Sequence, residues 1–316
     1  MRRRTVLALG VLALAAGCGT QAPPYQSEIS LVVPGSSGGW GDSVAGELRT
    51  LIEGRRWART VRVAGQGGEG AAAVARFVSA GRRTDLLVTD PALLAAAALS
   101  GAGPLLGRTA PLARLVGEWE VLVTSPDSPY RGFDRLAAAL VKDPSAVPLA
   151  GGPSGGADHL LAGMVALGLG ADVRLLGYTA FDDRRQAVAA VLDGRVPLAF
   201  GTPRDVADHV RAGRLRPLAV SSSERLDGLD APTLSESGVR AVYADWAGLV
   251  APAALTGGAR DALLDLCAAV AGSAGWQGCC GRNGWAPMYL AGDDFGRWLS
   301  DEVRRTSQVL DALGLR

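Results

Sequence analysis

Lysine is almost absent from this 316-residue chain: Lys142 is the only one, and the rest of its 32 basic residues are arginines. Histidine is limited to His159 and His209, cysteine to four residues, and aromatics to 5%. These scarcities exclude several kinds of chemistry. A phosphate-binding P-loop needs a lysine at the end of its glycine-rich turn, and no glycine-rich turn here has one. His209 lies among Asp205, Asp208 and Arg211, which reads as a solvated helix face. Cys267, Cys279 and Cys280 have no histidine cluster beside them and make a poor metal set. In an oxidising compartment Cys267 can pair with Cys279 or Cys280, leaving one thiol over. No apolar run reaches the length needed to cross ~30 Å of hydrocarbon as a helix. The formal charge of +1 becomes −2 once Arg2, Arg3 and Arg4 are set aside. No basic stripe remains, so nucleic acid is not an expected partner.

Those three arginines open a targeting segment. An apolar stretch follows over residues 6–16, and Ala15-Ala16-Gly17-Cys18 resembles a lipoprotein processing site. The expectation is a signal peptide over 1–17, lipid on Cys18 and a tether over 18–27 containing Pro23 and Pro24. The alternative is an ordinary signal peptide cut nearby. On the first reading the protein sits on the extracytoplasmic face of the cell membrane, held by its lipid anchor. About 290 mature residues suit two domains of ordinary size.

Glycine is abundant, and two of its clusters carry the most information. Residues 151–156 read Gly-Gly-Pro-Ser-Gly-Gly, after an apolar run at 147–150 and before the apolar stretch 160–169. Residues 34–42 read Pro-Gly-Ser-Ser-Gly-Gly-Trp-Gly-Asp, between a buried-strand pattern at 29–33 and a helical pattern. A glycine-rich turn that opens a helix presents unpaired N–H groups and the positive end of the helix dipole, which favour an anion. Lacking lysine, both read as carboxylate loops that can face each other across a cleft.

Strand patterns recur at 29–33, 60–64, 85–89, 119–124, 147–150, 173–177, 196–200, 217–221 and 247–251. Helical patterns lie between them, at 41–53, 68–80, 91–99, 132–141, 158–168, 183–193, 204–212 and 258–272, and 293–313 is amphipathic. This alternation predicts α/β architecture with mainly parallel sheets flanked by helices. Functional loops then fall at the carboxyl ends of strands. Thr89-Asp90, Tyr178 to Phe181, and Gly201-Thr202 join the two glycine clusters there. Pattern breaks at 124–129 and 243–248 predict two crossings between lobes, with 28–124 plus 244–316 forming one lobe and 125–243 the other.

Several segments together resemble the extracytoplasmic solute receptors of tripartite tricarboxylate transporters. The run from Gly151 through Asp158-His159-Leu160 is similar to the family's glycine-rich signature. Val33-Pro34 with Gly38-Gly39 and Asp42 resembles its first ligand loop. Further matches run through 214–225 and 232–238, then Trp246-Ala247-Gly248, Ala251-Pro252 and Leu313-Gly314-Leu315. The resemblance covers residue 28 to the end. It implies a two-lobed, type II periplasmic-binding-protein-like fold closing on a small organic acid. It also implies delivery of that acid to a permease of one large and one small membrane subunit, by a monomer without a cofactor. Carried over, the ligand-holding positions are Ser36, Ser37, Gly38, Gly39, Ser154, Gly155 and Gly156. Gly152, His159, Thr89, Asp90, Tyr178, Phe181, Gly201 and Thr202 join them as cleft positions.

Two departures matter. Trp40 stands where a small residue is usual, and either stacks on a ligand or plugs the cleft. Asp182 and Asp183 follow Phe181 where glycines are usual. One caps the next helix, or, pointing into the cleft, repels a polyanion and favours a monocarboxylate, amino acid or aromatic acid. Gly152-Pro153-Ser154-Gly155-Gly156 also satisfies G-x-S-x-G, so a serine hydrolase using Ser154 is the enzymatic alternative, although Pro153 suits a strained elbow poorly. A carboxylate sensor feeding a signalling partner is the other alternative.

Overall fold

The computed structural model describes residues 26–35, 39–66, 70–255 and 257–316. The leader, Cys18 and most of the tether lie outside the described residues, as do Ser36, Ser37 and Gly38.

The chain runs β1 (Gln26–Pro34), α1 (Trp40–Gly54), β2 (Ala58–Gln66), α2 (Gly70–Ala80), β3 (Asp85–Thr89), α3 (Pro91–Leu99), α4 (Gly103–Leu106) and β4 (Thr109–Trp119). It continues with β5 (Val121–Thr124), α5 (Phe133–Lys142), β6 (Leu149–Gly151), α6 (Ala157–Leu169), β7 (Tyr178–Ala180), α7 (Arg184–Leu192), β8 (Leu198–Gly201), α8 (Pro203–Arg211) and β9 (Arg216–Val220). It ends with β10 (Ala244–Pro252), α9 (Gly258–Ala271), α10 (Ala274–Asn283), β11 (Ala286–Ala291) and α11 (Gly292–Ala312).

These strands form two sheets, in the orders β11-β4-β10-β3-β1-β2 and β7-β6-β8-β5-β9. Each sheet is mixed. The βαβ units supply parallel pairs, β1 with β2 and β3, and β6 with β7 and β8. The strands that leave one sheet for the other, β4, β5 and β10, run antiparallel to their neighbours. The chain changes sheet at Glu120, between β4 and β5, upstream of the pattern break at 124–129. It returns after β9 and re-enters the first sheet at β10.

β3 and β10 are buried at every position, as strands covered on both faces must be. In the first lobe, Leu48, Ile52 and Trp276 pack on one face, and Phe77, Leu94 and Phe295 on the other. The second lobe is built around α6, whose first ten residues are all buried. Its core includes residues from outside the lobe: Ala95 and Ala98 of α3, and Val309 and Leu310 of α11. Thus α11 begins against the first sheet through Phe295 and Leu299 and ends in the core of the second lobe. Gly163 on α6 makes that approach possible, because a Cβ there would lie 2.8 Å from Val309 Cγ1 and 3.1 Å from Leu313 Cδ1.

Two sequence expectations change. Residues 173–177 are not a strand: Asp172 accepts the Arg174 N–H, a 3₁₀ turn forms over Val173–Leu175, and the strand starts at Tyr178. Cys267, Cys279 and Cys280 are unpaired buried thiols, and burial pushes all three up, to about 12, 12 and 11 respectively.

Candidate functional site

Both glycine clusters end in a glycine that starts a helix, with nearly the same backbone. Gly39 at α1 has φ −79° and ψ −175°, and Gly156 at α6 has φ −75° and ψ −175°. Neither helix has a side-chain cap, whereas Asp90, Asp183 and Thr202 cap α3, α7 and α8. Uncapped first-turn N–H groups favour an anion. Among the described residues each cluster also has one glycine with positive φ, Gly35 at +97° and Gly155 at +78°.

The second loop is held by its own side chains. The Gly152 N–H donates to Asp158 Oδ2 at 2.6 Å, Gly155 N–H to His159 Nδ1 at 3.0 Å, and Gly156 N–H to the Pro153 carbonyl at 2.9 Å. Those three amides are therefore engaged inside the loop. Ser154 is exposed, and the first-turn N–H groups of α6 stand outside these three bonds. The Tyr178 hydroxyl donates to the Gly152 carbonyl at 2.9 Å, and its ring stacks on His159 at 4.0 Å. Gly151 has no room for a side chain, since a Cβ would lie 2.5 Å from both Asp158 Cβ and Tyr178 Oη.

Burial pushes His159 down to about 4, so its ring is neutral near pH 7 and Nδ1 accepts. The same Nδ1 lies 3.3 Å from Ser154 Oγ. A hydrolytic base would need a free acceptor and a carboxylate orienting its other nitrogen. Here Nδ1 already takes the Gly155 N–H, and the other ring contact is Tyr178 rather than an acid.

In the first lobe, Trp40 packs edge-on to Trp285, centroids 5.1 Å apart, at the margin of the core. Its indole Nε1 is buried without a hydrogen-bond partner among the described residues, as is the Thr89 hydroxyl. Asp90 caps α3 by accepting the Leu93 N–H, and lies beside the first turn of α1, its Oδ2 3.6 Å from a Cβ placed on Gly41. Burial, with Asp245 nearby, raises Asp90 to about 7.

The remaining predicted positions make packing and capping contacts. Phe181 packs against the second core under the Arg195 guanidinium. Asp182 is exposed and Asp183 caps α7. Gly201 admits no Cβ, which would lie 2.7 Å from Val188, and Thr202 forms a capping box with Asp205. The lobes touch where Leu99 lies 3.5 Å from a Cβ placed on Gly155, and where Arg204 Nη1 reaches the Asn283 carbonyl at 3.5 Å.

The group that sequence reasoning missed sits at the junction of the sheets. Arg184, at the start of α7, lies 2.9 Å from Asp245 Oδ2, 3.0 Å from Asp158 Oδ1, 3.4 Å from Glu118 Oε2 and 3.9 Å from Glu120 Oε1. One guanidinium thus serves four carboxyls on three elements and a crossing. Burial raises Glu118 to about 7 against the pull of Arg184, and raises Asp245 likewise. The signal was present but faint: Glu118, Glu120 and Asp245 are acids inside otherwise apolar strand patterns.

Two α/β lobes joined by crossing strands, with helix N-termini opening from glycine loops, define a two-lobed solute-binding protein. Comparison with known proteins agrees. Residues 107–315 match the TctC family, the tripartite tricarboxylate transporter family receptor, and the chain belongs to that family. The family is one of receptors rather than enzymes. Protein BugT of Bordetella pertussis is 33% identical over 134 residues, a stretch that spans 42% of this chain and only 40% of that relative. The fold matches a TctC solute binding protein from Polaromonas with a TM-score of 0.76 at 20% identity, over 91% of this chain and 99% of that one. R. palustris Rpa4515, solved with adipate, matches with a TM-score of 0.70 at 20% identity, over 92% and 98% of the two chains.

Proposed function

We propose that the protein captures a small carboxylate between its lobes and hands it to a permease of one large and one small membrane subunit. The family match over residues 107–315 carries this reading. The two uncapped glycine starts of α1 and α6 support it, and adipate in Rpa4515 gives the chemical class. The carboxylate is held at Ser154 and the first turn of α6 on one side. Gly39 and its preceding loop hold it on the other, with the Trp40 indole N–H and the Thr89 hydroxyl as donors awaiting an acceptor. Closure of the lobes excludes water and strengthens those bonds. The receptor works as a monomer on the extracytoplasmic face, tethered through lipid on Cys18.

A thermal-shift screen of the purified protein with mono-, di- and tricarboxylates, amino acids and aromatic acids tests the capture. Ligand at a hundred times its dissociation constant adds ~2.7 kcal/mol of stability, a shift of several degrees. Binding without turnover is expected. An acid that is hydrolysed or exchanged by wild type but not by Ser154→Ala would refute the reading, as would no shift from any acid after refolding to strip bound ligand. Cys18→Ser is expected to move the protein from the membrane fraction to the soluble one.

A further inference from the structure

Glu120 marks the point where the chain leaves the first sheet for the second. It is 1% exposed, and neither of its carboxyl oxygens has a hydrogen-bond partner among the described residues. Asp158, 2% exposed, takes the Gly152 N–H on Oδ2 and pairs through Oδ1 with Arg184 Nη2 at 3.0 Å. An ionised carboxylate can only accept, so Glu120 buried as an anion beside Asp158, without a donor of its own, carries a large desolvation cost. Arg184 does not resolve the conflict. Its guanidinium is engaged by Asp245, Asp158 and Glu118, and its Nη2 stays 3.9 Å from Glu120. One proton does resolve it, by turning one carboxyl into a donor toward the other.

We propose that Glu120 and Asp158 share a proton at the crossing between the two sheets, and that this proton ties the arrangement of the lobes to pH. The groups facing the pair come from every element around it. β4 contributes Glu118, α7 contributes Arg184, β10 contributes Asp245, and β7 contributes Tyr178. Tyr243, just before β10, faces the pair too, and its hydroxyl has no hydrogen-bond partner among the described residues. Ser221 completes the shell by taking the Glu120 N–H on its hydroxyl at 2.8 Å. With four carboxyls, one proton and one guanidinium the cluster keeps a formal charge of −2. Losing the proton takes it to −3 at the place where both crossings meet. Burial first, and then the Asp158 carboxylate, hold Glu120 well above the usual carboxylate range. On this proposal the proton persists at neutral pH and leaves only in alkali. Its loss adds repulsion between Glu120, which lies on the crossing, and Asp158, which belongs to the second lobe, and so loosens the lobes.

Infrared spectra at pH 8 provide the direct test, because Glu118 and Asp90, at about 7, are mostly ionised there. Wild type is expected to show a protonated-carboxyl band that Glu120→Gln lacks. The wild-type spectrum alone suffices if the variant does not fold, since no protonated-carboxyl band at pH 8 overturns the proposal. Denaturation between pH 5 and 9 supplies the second measurement. The folded state retains a proton that the unfolded chain releases near pH ~4.3. Each proton so retained raises the unfolding equilibrium constant about tenfold per pH unit. The dependence in Glu120→Gln is expected to be shallower by one proton, and equal dependence in the two proteins overturns the proposal. Small-angle scattering reads the lobes themselves. Wild type is expected to expand between pH 7 and 10 and the variant to hold its dimensions, and the same expansion in both refutes the link.

Discussion

Arg184→Met removes the one cation found at the junction among the described residues while keeping an unbranched, apolar stem. The guanidinium lies within 3.9 Å of Glu118, Glu120, Asp158 and Asp245, and its side chain is only 16% exposed. Deleting one partner of a buried ion pair typically costs ~3–5 kcal/mol, because the other charge is stranded. Here the stranded groups are carboxyls, which escape the penalty by taking up protons. Burial already raises Glu118 to about 7 and raises Asp245. The loss is therefore expected to depend on pH. At pH 8 it should approach ~3–5 kcal/mol. At pH 5.5, where protons are cheap, it should be ~1–2 kcal/mol smaller, one pKa unit being 1.36 kcal/mol. At about 2 °C per kcal/mol for a chain of this size, the fall in Tm at pH 8 is ~6–10 °C. Urea denaturation of wild type and variant at both pH values measures this. An equal loss at the two pH values, or less than ~1 kcal/mol at pH 8, would refute the idea that Arg184 acts by neutralising the junction.

Gly151→Ala drives a methyl into Asp158 and the Tyr178 hydroxyl, and is expected to cost ~1–3 kcal/mol and loosen the second glycine loop, read by hydrogen exchange at residues 151–156. Asp183→Ala removes the α7 cap and should cost ~1 kcal/mol while leaving the order of ligand preference unchanged. A changed ligand order would instead place that carboxylate in the cleft. His159, held near 4 when folded, titrates at ~6.5 when unfolded, so its contribution is complete above pH 6.5 and is lost as pH falls toward 4. His159→Gln should flatten that acid limb in a pH series of Tm, and an unchanged limb would show that other groups produce it.

Apolar strands such as β1, β3 and β10 were legible because burial on both faces leaves a local record in the sequence. β4 was not, since its middle carries Pro111 and Arg114. Arg114 is tolerated there because its Nε donates to the Met288 carbonyl on β11 and its head lies 4.3 Å from the Trp298 ring. Both partners lie more than 170 positions away, beyond the reach of any local pattern. The glycine loops were legible as helix starts, since turn chemistry is local. How their amides are used was not, because Asp158 and His159 turn back onto the loop that precedes them. The junction cluster was the least legible part, as Glu118 and Asp245 become neighbours only when two crossings run side by side.

The course of α11 bears on how the molecule is made. The second lobe has all of its own strands by Val220, yet Val309 and Leu310 complete its core. A nascent chain that has emerged as far as β9 therefore has a second lobe with an open apolar face. That lobe closes only after nearly a hundred further residues, including the first lobe's last strands, have been synthesised. Contacts this distant in sequence are formed late and slowly. The last turns of α11 therefore act as a completion step, and truncation of even the final ten residues should leave both lobes present in outline and one of them unsealed.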